Sequence, residues 1–119
     1  MIQYAAGMRP HTSDPLFAKA DELALQVYRA TESMSDDGER GLRTEIRAHM
    51  RHVVCALVDA NLPHRQRTDR AAITDMAIGE ATLTRYLLSL ANRLDYVKDV
   101  DAVLGSCDAL IRELSEQIR

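Results

Sequence analysis

Apolar residues recur at steps of three and four along most of this chain, and four stretches carry the pattern strongly enough to predict amphipathic helices. The first opens with Asp14 as N-cap and Pro15 at the first helical position, where a missing N–H costs nothing. Phe17, Ala20, Leu23, Ala24, Val27 and Tyr28 then form one stripe to about Thr31, and the Ser- and Asp-rich segment Ser33 to Gly38 is the turn. A second helix is predicted from about Glu39 to Asn61, with Leu42, Ile46, Met50, Val53, Leu57 and Ala60 in its core stripe. It stops before Leu62 and Pro63, because a residue preceding proline is pushed out of the helical region. A basic loop from Asn61 to Arg67 follows. Thr68 or Asp69 is placed to cap a third helix of about 25 residues, striped by Ile73, Ala77, Ala81, Leu88, Ala91 and Leu94. After Tyr96 and Val97, the residues Val100, Val103, Leu104, Cys107, Leu110, Ile111, Leu114 and Ile118 define a fourth, with Asp99 or Asp101 at its positive dipole end.

Four such helices joined by short loops predict an all-α, antiparallel up-down four-helix bundle over residues 14–119. Residues 1–13 have no apolar period and carry Pro10, so they read as an arm, disordered alone or ordered by a neighbour. One feature goes beyond a single-chain bundle. Val53 to Val58 are six consecutive apolar residues that advance by about 100° each and so encircle the second helix. Tyr86, Leu87, Leu88, Leu90 and Ala91 spread similarly on the third. Soluble monomers rarely leave such patches open, which makes Val54, Val58, Tyr86 and Leu87 candidates for a subunit interface; the plainer alternative is a wide core stripe. Gly79, alone in mid-helix, suggests a close helix approach.

Composition supports this picture. Of 119 residues, only five are Gly, three Pro, one Phe and none Trp, which argues against a sandwich or barrel. No stretch approaches the length of a membrane span, and Met1 to Gly7 lack the basic and apolar regions of a leader, so the chain reads as cytoplasmic. Cys55 and Cys107 lie in apolar helical patterns without metal-ligand spacing and read as two buried, reduced thiols.

The net charge of −3 conceals a segregation. Residues 40–70 hold seven Arg against three acids, whereas residues 1–39 hold three basic and seven acidic groups. Arg40, Arg43, Arg47 and Arg51 share one face of the second helix, and Arg65, Arg67 and Arg70 follow with His64. Such a stripe could hold phosphates through bidentate contacts that weaken steeply with salt. It could equally be a solvated face, or pair with acids of a neighbouring subunit. Glu45, His49 and His52 stand at i, i+4 and i+7 with Asp59 beyond, a spacing able to converge on one ion. Bundle metal centres draw ligands from facing helices, however, and no other helix carries Glu-x-x-His, so a solvated polar stripe and no metal is the expectation. No nucleophile elbow, phosphate-binding loop, H-E-x-x-H motif or aromatic stacking platform is present in the sequence.

Several of these residues together resemble a bacterial family. Ala20, Leu23, Val27, Tyr28 and Thr31 follow an L-x-x-x-V-Y-x-x-T type of pattern. Gly41-Leu42 precedes Glu45-Ile46-Arg47, where the family commonly has Gln-Ile-Arg, and Ala77-x-Gly79 and Leu94-x-Tyr96-Val97 are similar to its A-x-G-S and L-x-Y-I segments. From about Phe17 to Leu114 the chain thus resembles the four-helix-bundle proteins encoded in intervening sequences of 23S ribosomal RNA genes, a group that includes the accessory variability determinant of diversity-generating retroelements. Where the family reads Arg-Arg-Ala-Ala and Asn-Ile-x-Glu-Gly, this chain has Arg47-Ala48-His49-Met50 and Ala56-Leu57-Val58-Asp59-Ala60. The resemblance implies a ring-like homo-oligomer, a pentamer of bundles; with no catalytic motif in the sequence, neither enzymatic activity nor a cofactor is expected. The retroelement member binds nucleic acid through a strongly basic surface, which Arg40, Arg43, Arg47 and Arg51 could retain in diminished form; with the clustered Arg65, Arg67 and Arg70 they are the residues expected to contact RNA, DNA or a nucleoprotein. The alternative expectation is a purely structural or protein-binding oligomer.

Overall fold

The computed structural model describes residues 11–35 and 41–118. These residues form four helices, α1 (Pro15–Ala30), α2 (Leu42–Ala60), α3 (Arg67–Arg93) and α4 (Asp101–Gln117), preceded by a 3-10 turn at His11–Ser13. No strand occurs among them. Each helix packs on its neighbours in chain order, and α4 closes back onto α1. Contacts at the helix ends set the directions. Asn61 at the end of α2 donates to Asp14 at the start of α1 (3.0 Å), while Arg47 near the start of α2 reaches Tyr28 near the end of α1. Lys19 near the start of α1 likewise pairs with Glu113 near the end of α4, so α2 and α4 each run antiparallel to α1. Among the described residues no helix is long and apolar enough to cross a membrane.

The caps follow the local chemistry, with corrections. Asp14 accepts from Leu16 N at 3.0 Å and caps α1 as its sequence predicts. The start expected for α2 at Glu39 lies outside the described residues; the helix is described from Leu42, with Gly41 at φ 91°, a left-handed conformation that an L side chain rarely adopts. On α3 neither Thr68 nor Asp69 is the N-cap. Gln66 occupies that position, and Asp69, three residues on, accepts from Gln66 N (3.1 Å) in a capping box.

Burial tracks the apolar stripes because each helix turns the same face inward every 3.6 residues. Ala20, Leu23, Val27, Ile46, Met50, Val53, Leu57, Ala77, Ala81, Leu88, Ala91, Val103, Cys107, Leu110 and Leu114 form one core, to which the loop residues Met34, Val97 and Val100 add. Thr74 is buried where the sequence predicts Ile73, and Thr84 fills the turn between Ala81 and Leu88 that the predicted stripe leaves open. Thr84 is tolerated there because its hydroxyl donates to Glu80 O at 2.9 Å. Leu94, placed past the end of α3, is 48% exposed.

Two other expectations are overturned. Cys55 is exposed rather than buried, since it falls on the side of α2 opposite the core residues Val53 and Leu57. Gly79 is not at a close helix approach within the chain; a Cβ built there meets nothing within 4 Å.

Candidate functional site

The basic residues of α2 turn toward α1. Arg47 Nε donates to Thr31 Oγ1 (2.9 Å) and its Nη2 donates to Tyr28 O (3.0 Å), while its guanidinium lies 4.5 Å from the centre of the Tyr28 ring. Arg43 Nη1 donates to Met34 O (3.0 Å), and Arg51 Nη1 to the Tyr28 hydroxyl (2.9 Å). The last carbonyls of a helix have no partner within it and carry its negative dipole end. Of the three guanidiniums, spaced a turn apart on α2, Arg47 therefore meets a carbonyl of the closing turn of α1, Arg51 the Tyr28 phenol and Arg43 the Met34 carbonyl just beyond the helix, and Thr31 joins them by donating to Val27 O (2.9 Å). Arg40, the fourth member of the sequence stripe, lies outside the described residues.

The other three arginines cluster at the opposite end of α2. Arg65 donates through Nε to Asp59 Oδ1 (3.0 Å), and Arg70 Nη1 donates to Arg65 O (2.9 Å). Arg67 is exposed, and its guanidinium has no hydrogen bond or ion pair among the described residues. His64 is exposed beside them. Asp14, Asn61, Arg67 and Arg70 line an open cleft of about 580 Å³ between the start of α1, the end of α2 and the start of α3. An Arg presents five donors, so Arg67 in full and Arg70 in large part remain available to an anion.

The residues expected at a subunit interface separate into two groups. Val54 and Leu87 pack against the bundle's own core, and Val58 is half-buried. Tyr86 is 54% exposed, with the Arg93 guanidinium 5.9 Å from its ring centre. Two large apolar side chains not singled out from sequence share its side of α3, Met76 (66% exposed) and Leu83 (45%). Met76, Gly79, Leu83, Tyr86 and Leu90 follow alternating steps of three and four, the spacing of a helix-pairing seam. That spacing was readable in advance, but a core stripe runs parallel to it and masks it.

On the seam between α2 and α3, His49 Nδ1 lies 2.5 Å from Glu80 Oε2 and His52 Nδ1 lies 3.4 Å from the same oxygen. The two imidazoles meet edge-on with centres 6.1 Å apart. Glu45 Oε1 stands 3.8 Å from the other ring nitrogen of His49, one turn back along α2. Asp59 takes no part, being paired with Arg65. Glu80 is the residue that sequence reasoning missed. It belongs to no Glu-x-x-His motif, and only the register of α3 on α2 brings it opposite His49.

No protein-family model and no curated protein matches this chain.

Proposed function

We propose that this chain is a non-enzymatic helical scaffold that self-associates through the outer face of α3 and contacts nucleic acid or a nucleoprotein with the basic end of its bundle. The exposed seam of Met76, Leu83 and Tyr86 carries the reading. Each such side chain loses on the order of 1 kcal/mol or more of hydrophobic stabilisation while it stands in water, which a covering surface recovers. A second copy suits the seam because the same face on two α3 helices is self-complementary about a two-fold axis or repeats around a ring, and Gly79 in its middle allows close approach. The resemblance to the intervening-sequence proteins, which assemble as barrel-like homopentamers, favours the ring.

The nucleic-acid part of the proposal rests on Arg67 and Arg70, with His64 and Arg65 beside them, rather than on the α2 stripe. Light scattering on Leu83→Asp tests the assembly: a fall to single-chain mass is expected, and an unchanged mass overturns the interface. Fluorescence anisotropy of labelled duplex DNA and structured RNA tests the ligand. Binding that falls by orders of magnitude between about 50 and about 200 mM salt, and is lost in Arg67→Ala/Arg70→Ala, is expected. One observation favours a second reading, an oligomer that binds protein alone: Arg43, Arg47 and Arg51 already have donors engaged on Tyr28 of α1 and on Thr31 and Met34 just after it. Absence of binding at the lower salt selects it.

A further inference from the structure

His49, His52 and Glu80 each offer a ligand atom, and these atoms all lie within 4.8 Å of one another. We infer that they form a binding site for a divalent transition-metal ion of the zinc class, bridging α2 and α3. Around a tetrahedral ion with bonds of about 2.0–2.1 Å, neighbouring ligand atoms stand about 3.3 Å apart. The His52 Nδ1 to Glu80 Oε2 separation of 3.4 Å already meets this, and the 2.5 Å between His49 Nδ1 and Glu80 Oε2 needs to open by less than 1 Å. The third edge joins the two imidazole nitrogens, which lie within 4.8 Å of each other, and His52, the most exposed of the three, is the side chain with room to turn toward the ion.

The donor set selects the ion. Two imidazole nitrogens and one carboxylate suit Zn²⁺, Ni²⁺ or Cu²⁺, whereas Ca²⁺ and Mg²⁺ require oxygen ligands in greater number. Metal-binding imidazoles are commonly oriented by a carboxylate on the nitrogen that does not bind, and Glu45 stands 3.8 Å from His49 Nε2 in that position. Two of the three ligands come from one helix and the third from its neighbour, so an ion there ties α2 to α3 across 31 residues of chain. Exposure grades across the group: the His49 side chain is 21% exposed, Glu80 28% and His52 58%, leaving a fourth coordination position open to solvent or to a side chain from outside the bundle.

The test uses the full chain without an affinity tag, titrated with Co²⁺ and then Zn²⁺. One Co²⁺ per chain with visible absorption, displaced by Zn²⁺, is expected, together with a rise in Tm on the order of 10 °C at a hundredfold excess over Kd. His52→Ala and Glu80→Gln should each weaken binding more than about tenfold, and Glu45→Gln by up to about that much. His64→Ala, in the loop after α2, should leave binding unchanged. His52 is the most exposed of the three ligands, so its variant keeps the fold if His49→Ala loses it. Absence of stoichiometric Co²⁺, or affinity unchanged in both His52→Ala and Glu80→Gln, overturns the site.

Discussion

Arg47 Nε donates to Thr31 Oγ1 across the α1–α2 contact, and the Thr31 hydroxyl in turn donates to Val27 O. Thr31 is fully buried, so the chain of bonds ends in the core rather than in water. The guanidinium thus completes the end of α1, and its removal leaves Tyr28 O and the Thr31 hydroxyl each short of a partner. Hydrogen bonds from a charged donor contribute about 1.5–3 kcal/mol when buried, and the two lost here are both only part-buried. Arg47→Ala is therefore expected to lower stability by about 2–3 kcal/mol, read as a shift of the urea midpoint without change in slope. Arg47→Lys should recover less than half, because an ammonium cannot fork to two acceptors and stack on Tyr28 together.

Gly79 separates the free bundle from the assembled one. In a dissociated chain nothing lies near its Cβ position, so in a Leu83→Asp background Gly79→Ala should raise stability by up to about 1 kcal/mol. In the otherwise unaltered chain the same methyl enters the proposed seam, and sedimentation should show weakened self-association. Stronger association would place the contact elsewhere.

The two thiols should behave oppositely toward a disulfide reagent. Cys55 is exposed and reacts in the folded protein, whereas Cys107 is buried and reacts only on denaturation. One thiol per chain titrated natively and two in denaturant is the expected count. Two reactive thiols in the native state would show that α4 opens readily.

Burial also pushes the Cys107 thiol up to about 12, with the Asp108 carboxylate adding to the effect and Arg85 opposing it. The folded chain keeps this proton where the unfolded chain, with an ordinary thiol near 8.5, has released it. The contribution to stability is thus complete below about pH 8.5 and is lost as pH rises toward about 12. Cys107→Ala removes this dependence while costing some packing. The gap in Tm between the unaltered chain and the variant should narrow from pH 8 upward; parallel curves would contradict the burial argument.

Much of this protein is determined by its sequence alone. The four helices, the Asp14 cap and most of the core, from Ala20 through Leu88 to Leu114, follow from apolar spacing, because the helical period is local and each stripe needs only to face inward. What the tertiary structure decides is the partner of each polar or unusual residue. Arg43, Arg47 and Arg51 share a face by their spacing alone, yet only the angle of α2 about its axis turns that face onto Tyr28 of α1 and the Met34 carbonyl just beyond it. Gly79 and Cys55 look like packing positions until the azimuths of α3 and α2 leave them outward. Glu80 meets His49 and His52 through the register of two antiparallel helices, a relation between residues distant in the chain that no local period encodes. Periodicity fixes which side of a helix is apolar; packing fixes what its polar sides touch.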